Sequence, residues 1–194
     1  VELAMRYGKP SIPNAIANLK AEGITNILLI PLYPHYAMSS YETVVVRVME
    51  EVGEQMPEAT VETVQPFYKE PDYIEALYQS AKPHLESGYD HLLFSYHGIP
   101  VRHLTKADSS KAHCQVVKDC CTTCSPAHST CYKAQVIATT AAFVKRAGIS
   151  EDQYSISFQS RLGREPWIEP FTDAVLPELA KSGTKRLLIM LPAF

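Results

Sequence analysis

Five cysteines fall within eighteen residues, and four of them, Cys114, Cys121, Cys124 and Cys131, read C-x6-C-x2-C-x6-C with Cys120 as an adjacent spare. The central C-x2-C lets two sulfurs reach one metal. Four thiolates without an excess of carboxylates favour an iron–sulfur cluster or zinc, and spacing does not choose between them; free thiols in a mobile loop are the bland alternative. His113 and His128 lie within reach of the same loop. A second chemistry is offered by His97, near the end of residues 92–100, LLFSYHGIP. An imidazole at neutral pH can act as a base or as a metal ligand. Leu92, Leu93 and Phe94 read as a strand buried on both faces, and Gly98 and Pro100 end it at once. His97 therefore sits where strand becomes loop, the edge at which open α/β sheets hold ligands. A histidine satisfied by its own turn is the competing reading.

Two further segments repeat this layout. Residues 31–36, PLYPHY, put His35 after an apolar run, where two prolines forbid regular structure, so it is expected on a loop as either a surface histidine or a metal ligand. Residues 157–172, SFQSRLGREPWIEPFT, run from a strand through Gln159, Ser160 and Arg161 into a loop that carries Trp167, the only tryptophan. His84, His91, His103 and His128 have no further supporting context and are expected to be solvated.

The elements that must carry these residues alternate in type. Ile12, Ile16 and Leu19 recur at helical spacing up to Gly23, and residues 27–30 follow as a buried strand. Ser39 or Ser40 is expected to cap a helix with the apolar stripe Val45, Val48, Met49 and Val52. Residues 53–58 form a polar connection, taken as the boundary between two halves. Beyond it come a strand at 60–64, a helix opened by Pro71 and closed by Gly88, the His97 strand and a cysteine-bearing insertion at about 106–131. A helix near 132–146, a strand at 154–158, a helix at about 171–181 and a strand at 187–191 complete the chain. Such alternation predicts an α/β fold: parallel sheets, right-handed crossovers, helices on both faces.

Composition excludes several classes. The chain has 194 residues, 46% of them hydrophobic, enough for one large core or two small ones. A formal net charge of -3, with no basic cluster interleaved with aromatics, argues against nucleic acid. No apolar run approaches the roughly 20 residues of a spanning helix. The opening VELAMRYGKP lacks the apolar core of a signal peptide, although a truncated start could hide one. One dense cysteine cluster in an α/β protein suggests metal and a reducing cytoplasm rather than a disulfide framework.

FSYHGIP and FQSRLGREPW, with AMRYGKPSI at residues 4–12 and PLYPHY, resemble ferrochelatases, enzymes that insert ferrous iron into protoporphyrin IX. The likeness runs along nearly the whole chain. It implies two similar Rossmann-like domains, with parallel sheets flanked by helices and a porphyrin cleft between them. Residues 1–58 would be the C-terminal part of the first, and 59–194 most of the second with its cysteine-rich insertion. Further segments are expected on either side, the later one bearing a functional glutamate.

The resemblance implies that His97 takes up pyrrole protons, binds the entering ferrous iron, or both. Arg6, Tyr7, Trp167 and Phe194 match residues that line the porphyrin pocket; plain packing or surface charge is the alternative for the first three. His35 would be a metal ligand on the approach path, although some relatives carry glutamine there. A [2Fe-2S] cluster is implied at Cys114, Cys121, Cys124 and Cys131, with Cys120 able to replace Cys121 and zinc as the alternative. Protoporphyrin is expected over coproporphyrin III; peripheral membrane association and oligomeric state stay open. Two competing functions share these features: a binding module that carries tetrapyrrole or metal without turnover, and an iron–sulfur redox or metal-sensing domain.

Overall fold

The computed structural model describes residues 1–192, so Phe194 lies outside the described residues. Two compact units divide the chain, residues 1–33 with 37–66, and residues 34–36 with the chain from 67 onward. In the first, β1 (Asn26–Leu29) pairs in parallel with β2 (Thr60–Thr63), Asn26 opposite Thr60 and Leu29 opposite Thr63. Helix α1 (Ile12–Ala21) starts at Ser11, whose hydroxyl accepts the Asn14 amide, and α2 (Thr43–Gln55) follows β1. Ile12, Ile16, Val48, Val52 and Met56 form the core, with Ile27, Leu29 and Val61 packed on it.

Several expectations shift here. The boundary at 58/59 moves to about residue 66, because β2 completes its ladder on β1 and so belongs with the first unit. Residues Met38–Glu42 form a π-helical turn entered from Ala37, so neither Ser39 nor Ser40 caps α2. Met49, expected in the apolar stripe, is exposed because α2 turns only its Val48 and Val52 side inward. β1 is covered on one face only. Ile27 and Leu29 meet the core, whereas Leu28 and Ile30 are more than half exposed.

In the second unit β3 (His91–His97) lies between β4 (Tyr154–Gln159) and β5 (Leu187–Met190), all parallel. Helices α3 (Pro71–Glu86), α4 (Val101–Ala107), α5 (Tyr132–Ala147) and α6 (Thr172–Lys181) surround this sheet. Alternation decides which side chain meets which helix. Phe94 packs edge-on against Phe143 of α5 at 5.5 Å, and the Tyr96 hydroxyl meets Thr140 of α5 at 2.9 Å. Ser95 points the other way, sharing the Thr172 hydroxyl at the start of α6 with Ser157. Leu92, Leu93, Phe94 and Tyr96 are wholly buried, as a central parallel strand requires. Gly148 ends α5 at a φ of 69°, where a side chain would be strained. No helix of the described residues is long and apolar enough to cross a membrane.

Candidate active site

His97 ends β3, and the peptide that follows it is held at both ends. Its carbonyl accepts the Tyr132 hydroxyl at 2.8 Å, and the Gly98 N–H of the same peptide donates to the Gln159 carbonyl at 2.7 Å. The imidazole Nδ1 donates to the Gly98 carbonyl at 2.6 Å, which sets the Nδ1–H tautomer in the neutral ring and makes Nε2 the basic nitrogen. Gly98 is required by space. A Cβ there would stand 2.9 Å from the Gln159 carbonyl and 3.3 Å from the Trp167 ring. Trp167 thus packs on the backbone beside His97, half buried. A bridge between Pro100 and Trp167 and the bond from the Ile168 N–H to the Ile99 carbonyl at 3.0 Å hold it there, and its Nε1 donates to the Leu162 carbonyl at 2.9 Å. In the same loop Arg161 reaches Asp173 at 2.7 Å and lies over the Phe171 ring.

His35 is not a surface histidine. It is buried, with Tyr96 and Tyr132 edge-on at 5.8 Å and Tyr68 stacked at 6.5 Å. The Thr139 hydroxyl donates to the Tyr68 carbonyl at 2.6 Å, so its oxygen accepts the His35 Nε2–H at 2.8 Å. Nδ1 then carries the lone pair and has no partner among the described residues. Burial pushes the imidazole down to about 3, so it is neutral throughout the physiological range. The two prolines explain the loop, and the aromatic cage explains why the loop turns inward.

The cysteine insertion has a framework of its own. The buried Asp108 carboxylate accepts the Ser110 hydroxyl at 2.7 Å, the Ser110 N–H at 3.0 Å, and the His113 and Cys114 N–H groups at 3.0 and 2.9 Å. These bonds, the Ser110 hydroxyl first, hold it well below the usual carboxylate range. His113 and His128 both donate from Nε2 to the Cys120 carbonyl at 2.7 Å, so neither is solvated as a bystander would be. His91, also expected in solvent, is half buried and bonded to Ser155 at 2.9 Å.

Cys131 is pulled down to about 6, first by the Cys121 thiol and then by the Ala134 N–H and the Cys114 thiol. Cys121 moves up in return, and burial raises Cys114 to about 12. Cys120 adds to the field on both. Cys124 stands apart, exposed, and enters none of these interactions. The thiols that act on one another are thus Cys114 with Cys131, Cys121 with Cys131 and Cys120 with Cys121, while two histidines hold the Cys120 carbonyl. Among the described residues no three His, Cys, Asp or Glu side chains converge on one metal-binding point. The donor type suits a sulfur-ligated group; the thiol contacts here are pairwise.

Arg6 and Tyr7 belong to the first unit, with the Arg6 guanidinium 4.8 Å from the Tyr7 ring centre and Tyr7 mostly exposed. Arg6 also borders a largely apolar cavity of about 750 Å³ lined by Leu3, Ile16, Leu28 and Ile30 among others, all of that unit. Sequence reasoning missed Tyr132, Gln135, Thr139 and Asp108. A signal existed for the first three: polar groups at positions 132, 135 and 139 share one helix face with the buried Val136 and Phe143.

A parallel α/β unit with a histidine at the C-terminal end of its central strand, beside a tryptophan loop, defines an α/β protein with a ligand-edge site. The particular family follows from comparison: the ferrochelatase family model matches residues 1–194, and the chain belongs to that family. It is 59% identical over 194 residues to a ferrochelatase of Opitutus terrae, covering all of this chain and 56% of that protein. Ferrochelatases of Stutzerimonas stutzeri and Pseudomonas fluorescens are each 51% identical over 195 residues, with 57% of their length covered. The chain thus spans a little over half the length of these relatives.

Two measurements check this geometry. Gly98→Ala should displace Trp167 and lower stability by about 1–3 kcal/mol; since Trp167 is the only tryptophan, its emission should shift, and unchanged emission and stability would refute the contact. His35 takes up a proton near 6.5 when unfolded and near 3 when folded, so the unfolded state binds more protons between those values. Stability should therefore fall as pH drops through that window, by roughly 1 kcal/mol per pH unit relative to His35→Gln. Parallel urea-denaturation curves of the two proteins at pH 6 and pH 4 would contradict the buried neutral ring.

Proposed function

We propose that this chain is the part of a ferrochelatase that carries its catalytic histidine, and that the whole protein inserts ferrous iron into protoporphyrin IX to form haem. Membership of the family supports the reaction, and the held His97 peptide at the end of β3 is the observation that supports the residue. Exchange of ferrous iron for two pyrrole protons needs a base at the ring face, and the incoming cation must shed water as it enters. The His97 Nε2 lone pair is suited to accept one pyrrole proton at a time or to hold the metal briefly. Its Nδ1–H, anchored on the Gly98 carbonyl, keeps that lone pair on Nε2. Trp167 offers an indole to one side of the same backbone, apt for the edge of a flat macrocycle. Arg6 suits a propionate. Phe194 is proposed as a further pocket aromatic.

The cysteine insertion is proposed to bind a [2Fe-2S] cluster, with Cys114, Cys121 and Cys131 as three ligands and Cys120 as the fourth. The mutual thiol contacts support this set over one that includes the exposed Cys124. Such a cluster is a sulfur-bound one-electron centre; no step at His97 is assigned to it. The clustering of all five cysteines within residues 114–131 supports work in a reducing compartment, the cytoplasm.

Full-length His97→Ala should lose iron insertion by about 10²-fold or more. Near wild-type turnover, measured by haem absorbance, would sink the assignment, and porphyrin binding without turnover in the wild type would favour a carrier module. For the insertion, Cys120→Ser should remove the visible spectrum and two irons per chain, whereas Cys124→Ser should leave both. The reverse outcome would restore Cys124 as the ligand, and zinc without sulfide would make the site structural.

A further inference from the structure

We propose that the cysteine insertion acts on His97 through the first turn of α5, with Tyr132 and Gln135 as the positioning residues. The covalent path is short. Cys131 is both the last cysteine of the insertion and the residue that caps α5, and Tyr132, the first helical residue, holds the His97 carbonyl at 2.8 Å. Tyr132 is buried, so that bond is not exchanged for one to water.

Gln135 supplies the second tie, one turn further along the same face. Its Nε2 donates to the His128 and Ser129 carbonyls, at 3.0 and 2.9 Å, which closes the end of the insertion onto the helix. Its Oε1 accepts the Tyr36 N–H at 2.7 Å, next to His35, whose ring packs edge-on against Tyr132. With 1% exposure and three bonds, this amide has both donors committed, so a displaced insertion must either break buried bonds or carry the helix turn with it.

The receiving end is narrow. The His97 carbonyl and the Gly98 N–H belong to one rigid peptide plane, pinned by Tyr132 on one side and by the Gln159 carbonyl of β4 on the other. The Gln159 pin is set by the sheet. The Tyr132 pin is set by α5, and so by whatever orders residues 106–131. Loss of order there frees one end of the plane and lets the His97 side chain leave its line.

The test uses the full-length protein and two readouts, amide exchange at Gly98 and steady-state iron insertion. Only the second rests on the proposed reaction, so an inactive wild type would overturn that reading and leave the exchange experiment to decide this one. Gln135→Met should make the insertion sensitive to protease and speed Gly98 exchange about tenfold. Tyr132→Phe should speed Gly98 exchange to a similar extent while leaving the insertion protease-resistant, and adding Gln135→Met to it should accelerate Gly98 no further. In turnover, Tyr132→Phe should lower kcat about tenfold with KM for porphyrin unchanged, as expected when a positioning bond and not a binding contact is lost. An insertion loosened by Gln135→Met with Gly98 exchange at the wild-type rate would overturn the coupling. Should Gln135→Met fail to fold, the isosteric Tyr132→Phe still decides: wild-type Gly98 exchange together with wild-type kcat would overturn it.

Discussion

The peptide between His97 and Gly98 is the constraint on which the second unit depends. A parallel strand ends where its ladder ends, and beyond that point a carbonyl and an amide must find partners or face water. Here the amide stays with β4 and the carbonyl goes to Tyr132, so the last residue of β3 is held as firmly as one inside the sheet. Gly98 allows this closeness, because only hydrogen fits between the Gln159 carbonyl and the Trp167 ring. The His97 imidazole, the absent side chain at Gly98 and the tryptophan loop are one arrangement.

Helix α5 is unusual in what it buries. Beside Val136 and Phe143 its inner face carries Tyr132, Gln135, Thr139 and Thr140, each nearly inaccessible. Buried polar groups cost several kcal/mol unless bonded, and these four are bonded: to His97, to Tyr36 and the insertion, to His35 and Tyr68, and to Tyr96. An apolar helix could slide on the sheet by a rotamer change. A helix bonded in this way has one register, which also fixes the position of the His97 backbone.

The insertion shows the same logic with little regular structure, a short 3-10 turn at Pro126–Ser129. With no extended ladder of its own, it is ordered by the Asp108 carboxylate at one end, Gln135 at the other and two histidines on the Cys120 carbonyl between them. Within this frame the thiols of Cys114 and Cys121 each act on Cys131, and Cys124 is exposed.

The sequence by itself determined the order and type of the elements, the parallel α/β class, the strand ending at His97 and the density of cysteines. These are local properties: side-chain period, glycine at positive φ and proline breaks act over a few residues. Tertiary structure alone decided that β2 joins the first unit and that His35 turns into a tyrosine cage. It also decided that Cys124 is exposed while two histidines hold the Cys120 carbonyl. In each case the deciding contact joins residues far apart in the chain, His35 with Thr139 or Tyr132 with His97, and no periodicity in a short window encodes such a pair.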